Sequence, residues 1–233
     1  MLPLRDRLPT RTFPFVNYAL IAANLGVFTL EWLGGGEALV QQLGVIPAEL
    51  LADPLSNAPR LLTHMFVHAS WSHVLGNMLF LWIFGDNVED ALGHLRYVGF
   101  YLACGLVAAI AQIAFSAGSE MPLVGASGAI AGVLAAYAIF YPRSPIVVLN
   151  PIPLLWLFWG LTFDLPAWVV IALFFVVNLM NAFQAASAAG ATGGVAFMAH
   201  VGGFVAGLVL QRVMRKDPHA EYDPWDRFVT RRR

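Results

Sequence analysis

Charge is what this chain has least of. Only 12% of its 233 residues are Asp, Glu, Lys or Arg, whereas roughly a quarter of a soluble domain is charged. The charges that exist stand between long apolar runs. With 59% hydrophobic residues and a mean hydropathy of +0.70, this excludes an ordinary soluble domain and reads as a polytopic membrane protein. Cysteine is nearly absent. Cys104 is alone, so no internal disulfide forms and the redox compartment stays unread. The net charge of −1 says nothing about partners, and no nucleic-acid partner is expected. Tandem repeats and a second soluble domain are missing, and the first apolar run lacks a small-residue cleavage site. That run is expected to be a retained span rather than a removed signal peptide.

A helix needs roughly 20 apolar residues to cross the hydrocarbon core. Six stretches meet the pattern, at 15–33, 72–86, 95–117, 126–141, 166–184 and 194–214. The expected organisation is a cytoplasmic N-terminal segment 1–14, a membrane domain 15–215 and a polar, basic C-terminal tail 216–233. The fold class is all-α, a six-helix membrane bundle with a long first loop at 34–71. Within that loop, 37–43 and 46–53 are short and amphipathic, which suits the membrane interface.

The segment 146–163 is apolar enough to count as a seventh span, but Pro151, Pro153 and Gly160 interrupt it and Asp164-Leu165-Pro166 closes it. Val147, Val148 and Leu149 favour extended structure. An interfacial or re-entrant loop packed on the protein is expected. Charge decides the same way. Six spans gather Arg5, Arg7, Arg11, Arg96, Arg143, Arg212, Arg215, Lys216, Arg227, Arg231, Arg232 and Arg233 on one side and leave Arg60 on the other. Positive charge marks the cytoplasmic face, so both termini are expected there. A seventh span would send the arginine-rich tail across the membrane.

In this arrangement the fourth and sixth spans enter from the same, outer side. Ser127 stands in the first turn of the fourth, within Gly125-Ala126-Ser127-Gly128. His200 stands roughly 9 Å down the sixth, counted from Gly194 at ~1.5 Å per residue. A serine needs an adjacent base to become a nucleophile, and histidine is the usual one. No carboxylate lies in either span; Glu120 and Asp164 are in loops. The expectation is a Ser–His dyad without a third member. Gly128 and Gly132 form a small-xxx-small pair beyond the serine, and Gly203 and Gly207 another beyond the histidine. Either pair alone means plain helix packing; here the same faces would bring serine to histidine. On the second span, His73 and Asn77 are spaced i, i+4. With the Ser127 backbone N–H they could form an oxyanion hole, although Asn77 alone reads as polar glue between helices. His64, His68 and His73 raise the thought of zinc, but no acidic ligand accompanies them in a metalloprotease pattern, and neither metal nor cofactor is expected. His64 and His68 are expected to shape the loop, Glu89 and Asp90 to pair or be solvated, and Arg60 to tie the loop together or meet lipid phosphate.

Together these residues resemble the rhomboid family of intramembrane serine proteases. The matching pieces are His64 and His68, His73-x-x-x-Asn77, Glu89 with Leu92-Gly93, Gly125-x-Ser127-Gly128, and Ala199-His200-x-x-Gly203-x-x-x-Gly207. The resemblance covers approximately 14–215. It implies a six-helix bundle with a water-filled cavity, Ser127 as nucleophile, His200 as general base then acid, and Asn77 and His73 as oxyanion donors. It implies cleavage of single-pass membrane proteins through an acyl-enzyme, and a lateral gate on the fifth helix with Trp168, Phe174 and Phe175. Two positions depart from the family's pattern. Ala131 stands where an aromatic often stacks on the histidine, and Pro59 precedes Arg60 where Trp is common.

Two other readings compete. A catalytically inactive rhomboid-like factor that binds or chaperones membrane proteins typically lacks the serine or the histidine; this chain keeps both. A small transporter would show broken helices at mid-membrane, and the one strong break, at 146–166, brings no ionisable group to that depth. The expected partners are single-pass transmembrane substrates and lipids, in a bacterial or archaeal cytoplasmic membrane. Substrates should carry Ala, Gly or Ser near the scissile bond, where a helix unwinds most easily. The oligomeric state and the natural substrate are not legible.

Overall fold

The computed structural model describes residues 2–153, 156, 160–189 and 196–215, with side chains except at 178, 179 and 181–189. The expected tail 216–233 and the centre of the apolar segment, 154–155 and 157–159, lie outside the described residues. Among the described residues six helices form the bundle: α1 (Phe15–Gly34), α6 (Trp71–Leu92), α7 (His94–Phe115), α8 (Ser127–Phe140), α9 (Ala167–Ala189) and α10 (Phe197–Met214). They coincide with the six expected spans to within a few residues. Among the described residues α1, α7 and α10 are long and apolar enough to cross a membrane, while α8 and the Ala167–Val177 part of α9 are shorter apolar helices.

The helix boundaries have local causes. Gly35, at φ +108°, ends α1 in the left-handed conformation, which glycine adopts without a Cβ penalty. Gly93, at φ +81°, turns the chain between α6 and α7. The Ser70 side chain accepts the His73 N–H at 3.2 Å and caps α6. Pro14 leaves α1 without a side-chain cap of its own. The cap comes from a distant residue instead. Glu89, fully buried, accepts the Val16 and Asn17 N–H groups at 3.1 and 2.7 Å and also pairs with His94. A carboxylate there completes the orphan donors and complements the helix dipole. Asp90 does the same for the preceding turn, accepting the Arg11 and Thr12 N–H groups at 3.0 Å each.

The helix α8 is the core. Ten of its fourteen residues are buried, as expected of a helix that is apolar all round. α6, α7 and α10 pack around it. Its fourteen residues span only about 21 Å at ~1.5 Å per residue, short of the ~30 Å hydrocarbon core. One end of α8 therefore lies inside the bundle, below the surface of the surrounding helices. That end carries Ser127.

The long loop wraps the same end. It holds α2 (Gly36–Leu43), α3 (Pro47–Ala52), α4 (Pro54–Asn57), α5 (Arg60–Thr63) and a 3-10 turn at His64–Phe66. The two segments read as amphipathic are α2 and α3. Arg60 pairs with Glu49 at 2.7 Å, which ties the loop to itself. Val45 and Leu123 exchange backbone hydrogen bonds at 3.0 and 2.7 Å, strapping the loop to the chain just before α8.

At the opposite end the structure adds a sheet that hydropathy does not announce. Strands β1 (Pro3–Asp6), β2 (Pro145–Leu149) and β3 (Thr162–Pro166) pair antiparallel in that order. The expected extended stretch 147–149 belongs to β2. Because β2 and β3 pair over Pro145–Pro166 to Leu149–Thr162, the apolar segment leaves and returns at one end of the bundle and is not a seventh span. The N-terminal segment is built into this sheet, and Arg7 and Asp164 fasten it across β3 at 3.1 Å. Arg96 donates to the Met214 and Arg215 carbonyls at the same end.

Candidate active site

Gly125 sets the approach to α8. Its φ of +113° is open only to glycine, and its N–H donates to the His64 carbonyl at 2.8 Å. A Cβ there would strike the His73 ring at 2.5 Å and the Asn77 amide nitrogen at 3.5 Å. The two polar side chains of α6 thus lie directly against the backbone that delivers Ser127. Ser127 is the first residue of α8, whose N-terminus has no side-chain cap. The first N–H groups of a helix have no intrahelical acceptor.

His200 is the fourth residue of α10 and 4% exposed. The helix begins at Phe197, three residues later than expected, so the histidine sits about 4.5 Å along it at 1.5 Å per residue. Gly194 lies outside the described residues. The start of α10 is held by α7, where the Gln112 side-chain oxygen accepts the Ala199 N–H at 3.3 Å. His200 Nε2 lies 2.8 Å from Ser127 Oγ. For the hydroxyl to donate, Nε2 must be the unprotonated nitrogen and Nδ1 must carry the hydrogen. His200 Nδ1 is buried and has no partner among the described residues.

The small residues allow this approach. A Cβ on Gly203 would fall on the Gly128 carbonyl oxygen, and one on Gly207 would meet the Gly132 carbonyl oxygen and Cα. A Cβ on Gly128 would press on Ala108 at 2.5 Å, and one on Gly132 on Cys104. Gly128, Gly132, Gly203 and Gly207 are thus the surface on which α8 and α10 touch backbone to backbone, with α7 packed against both.

A cavity of about 470 Å³ opens over the pair, lined among others by Ser127, His200, His73, Asn77, Phe80 and Phe174. Asn77 is 8% exposed, and its Nδ2 lies 2.9 Å from His68 Nε2. The His68 and His73 rings meet edge to face at 5.0 Å. His64 Nδ1 lies 3.2 Å from the Arg60 carbonyl. Burial pushes the His64 and His68 imidazoles down to about 4 and about 3, so both stay neutral at physiological pH. Phe174 of α9 faces the site. Its ring centroid is 6.1 Å from that of His200 and 4.8 Å from that of Phe80. Phe175 packs on Phe204 at 4.4 Å, and Trp168 is exposed. Ala131 is fully buried. The aromatic neighbour of the histidine therefore comes from α9 and not from the turn after the serine. Sequence reading gave Phe174 a place in a gate only, and overlooked Glu31 and Gln112. The available signal for both was a polar residue inside an apolar span.

Helices long and apolar enough to cross a membrane, a short central helix that begins at a serine, and a histidine within hydrogen-bond reach define a polytopic membrane protein with a serine–histidine pair inside its bundle. The rhomboid domain matches residues 56–217, and the chain belongs to the rhomboid family. It is 36% identical to the rhomboid protease GluP of Bacillus subtilis (strain 168) over 126 residues, 53% of this chain and 24% of that protein. It is 25% identical to the mitochondrial rhomboid protein 1 of Saccharomyces cerevisiae over 198 residues, 82% of this chain and 51% of that one. With the mitochondrial presenilin-associated rhomboid-like protein of Homo sapiens it shares 29% identity over 134 residues, 56% and 34% of the two chains. The chain spans about half or less of the length of these relatives.

Proposed function

We propose that the chain is an intramembrane serine endopeptidase that cleaves single-pass membrane proteins with a Ser127–His200 dyad. The observation that carries the reading is the 2.8 Å contact between His200 Nε2 and Ser127 Oγ at the floor of a cavity. Ser127 Oγ attacks the scissile carbonyl while Nε2 takes its proton. The oxyanion that forms is met by the Asn77 amide, the His73 ring and the N–H groups at the start of α8. Nε2 then returns the proton to the departing amine, which leaves an acyl-enzyme. Water, activated by the same nitrogen, releases the acyl group and restores the serine. No metal or cofactor enters these steps. Among the described residues nothing accepts from the buried His200 Nδ1–H, so the dyad stabilises its imidazolium less than a triad would, and slow turnover follows.

The substrate reading rests on the cavity, which admits a short unwound segment rather than an intact helix of about 10–12 Å diameter. Small residues near the scissile bond suit both the space and the unwinding. The gathering of arginines at the sheet end favours a cytoplasmic position for that end, with the cavity facing outward. A bacterial or archaeal cytoplasmic membrane suits this topology. The test is cleavage of a single-pass substrate in liposomes by wild type, Ser127→Ala and His200→Ala, with a fluorophosphonate probe on the same samples. Cleavage or labelling at Ser127 by wild type, and neither by the variants, is expected. An unlabelled wild type would sink the protease reading in favour of an inactive rhomboid-like binding factor.

A further inference from the structure

Glu31 is an ionisable residue near the end of an apolar helix, and it is 2% exposed. A carboxylate buried on an apolar helix is costly and calls for a partner. Its surroundings show what it does. Glu31 Oε2 accepts the backbone N–H of His68 at 3.2 Å. His68, also 2% exposed, presents Nε2 to Asn77 Nδ2 at 2.9 Å. Two residues on, the Ser70 hydroxyl accepts the His73 N–H at 3.2 Å and starts α6. Through His68 the short segment 68–70 therefore touches both polar side chains of α6 that face Ser127, Asn77 by the hydrogen bond and His73 ring to ring at 5.0 Å, and Glu31 fixes its first residue.

The same segment is a partition. On one side lies the cavity over Ser127, lined in part by Ser70. On the other lies a second cavity of about 300 Å³, lined by Glu31, Trp32, Val40, His68 and Ser70 among others. Glu31 Oε1 and His68 Nδ1 are both buried and have no partner among the described residues. With Asn77 donating to Nε2, Nδ1 carries the imidazole hydrogen. One unmet donor and one unmet acceptor thus belong to two residues lining one cavity, a pairing that water satisfies well.

We infer that Glu31 is a positioning residue for the oxyanion site, acting through the His68 backbone and imidazole on the Asn77 amide. The carboxylate holds the 68–70 segment, the segment orients the imidazole, and the imidazole fixes which way the amide hydrogens point. The inference rests on the protease reading for its kinetic consequence and on the hydrogen-bond chain alone for its spectroscopic one.

The experiment uses the full chain with Glu31→Leu, Glu31→Gln, Asn77→Ala and the Glu31→Leu/Asn77→Ala pair. Loss of a well-aligned donor costs about 10²–10³ in rate, and misalignment by a fraction of an ångström costs about tenfold. Glu31→Leu should lower kcat by about tenfold with KM little changed. Glu31→Gln, whose amide oxygen still accepts the His68 N–H, should recover most of that loss. In the Asn77→Ala background Glu31→Leu should cost almost nothing more, because the amide it positions is gone. Full additivity of the two losses, or a Glu31→Leu enzyme with wild-type kcat, would overturn the inference. Nitrogen-15 spectra of labelled histidine and asparagine provide the second arm. Wild type should show His68 as a neutral imidazole with hydrogen on Nδ1, and Glu31→Leu should move both that signal and the Asn77 side-chain amide. An unmoved Asn77 amide refutes the chain even in a protein that cleaves nothing. A moved amide in an inactive protein refutes the protease reading and keeps the chain.

Discussion

Gly203→Ala is the sharpest test of how this bundle makes its site. The added Cβ would stand 2.8 Å from the Gly128 carbonyl carbon and 3.4 Å from its Cα, and closer still to the carbonyl oxygen. Carbon–oxygen contact needs about 3.3 Å, and the obstacle is backbone, which cannot rotate aside. The two helices must part by more than about 1 Å to reach that spacing. Gly128 follows Ser127 and Gly203 is one turn past His200, so the wedge enters beside the dyad. A 2.8 Å hydrogen bond stretched by about 1 Å leaves bonding range. Misplacement of that size costs about 10²-fold in rate, and the overpacking costs about 1–3 kcal/mol in stability. The assay is liposome cleavage with fluorophosphonate labelling of Ser127, beside a melting curve. Gly26→Ala on α1, where an added Cβ meets nothing within 4 Å, is the control and should retain activity. Wild-type labelling and cleavage by Gly203→Ala would refute the claim that backbone contact between α8 and α10 sets the dyad distance.

Phe174→Ala removes the ring beside His200 and Phe80; kcat should fall about 2–10-fold, the worth of an aromatic contact, and single-turnover kinetics with the probe would show it. An unchanged rate would mean that the imidazole is held by its backbone alone. Glu89→Ala strips the N-terminal cap from α1 and leaves buried donors unmet, so thermal stability should drop by about 1–3 kcal/mol while activity per folded molecule holds. A melting midpoint equal to wild type would count against the cap. Asp6, in β1, accepts the Tyr137 hydroxyl at 2.9 Å and the Asn87 amide at 2.8 Å. Burial first, and the nearby Asp86 charge second, push its carboxyl up to about 7 from 3.8. The folded chain then holds a proton that the unfolded chain releases above pH 3.8, so Asp6 favours folding at low pH and loses that contribution as pH rises to about 7. Melting of wild type against Asp6→Asn from pH 4 to 8 should show wild type losing ground with rising pH and levelling above about 7; parallel curves would refute it.

Composition and hydropathy announced the bundle, because a span that satisfies its own backbone hydrogen bonds in lipid carries a long apolar run; among the described residues α1, α7 and α10 do so outright, while α6 carries Asp86, Glu89 and Asp90 in its second half. The order of Ser127 and His200 at the starts of their helices followed from that, but the height did not: α10 begins at Phe197 and halves the rise expected for His200. The sequence also favoured a loop over a seventh span, through Pro151, Pro153 and the arginine count. Pairing between distant residues was invisible to it. The strand Pro3–Asp6 has no meaning until β2 lies beside it, and Glu89 read as a solvated or pairing charge until α1 placed two N–H groups on it. Likewise Ala131 marked a missing aromatic, but only folding could bring Phe174, some forty residues away in sequence, to the His200 ring. Periodicity records which face of a helix avoids water or lipid and is blind to which helix that face meets. The contact of Gly203 with Gly128, and through it the 2.8 Å between Nε2 and Oγ, was decided by close packing of whole helices, where a single methyl group is enough to change the answer.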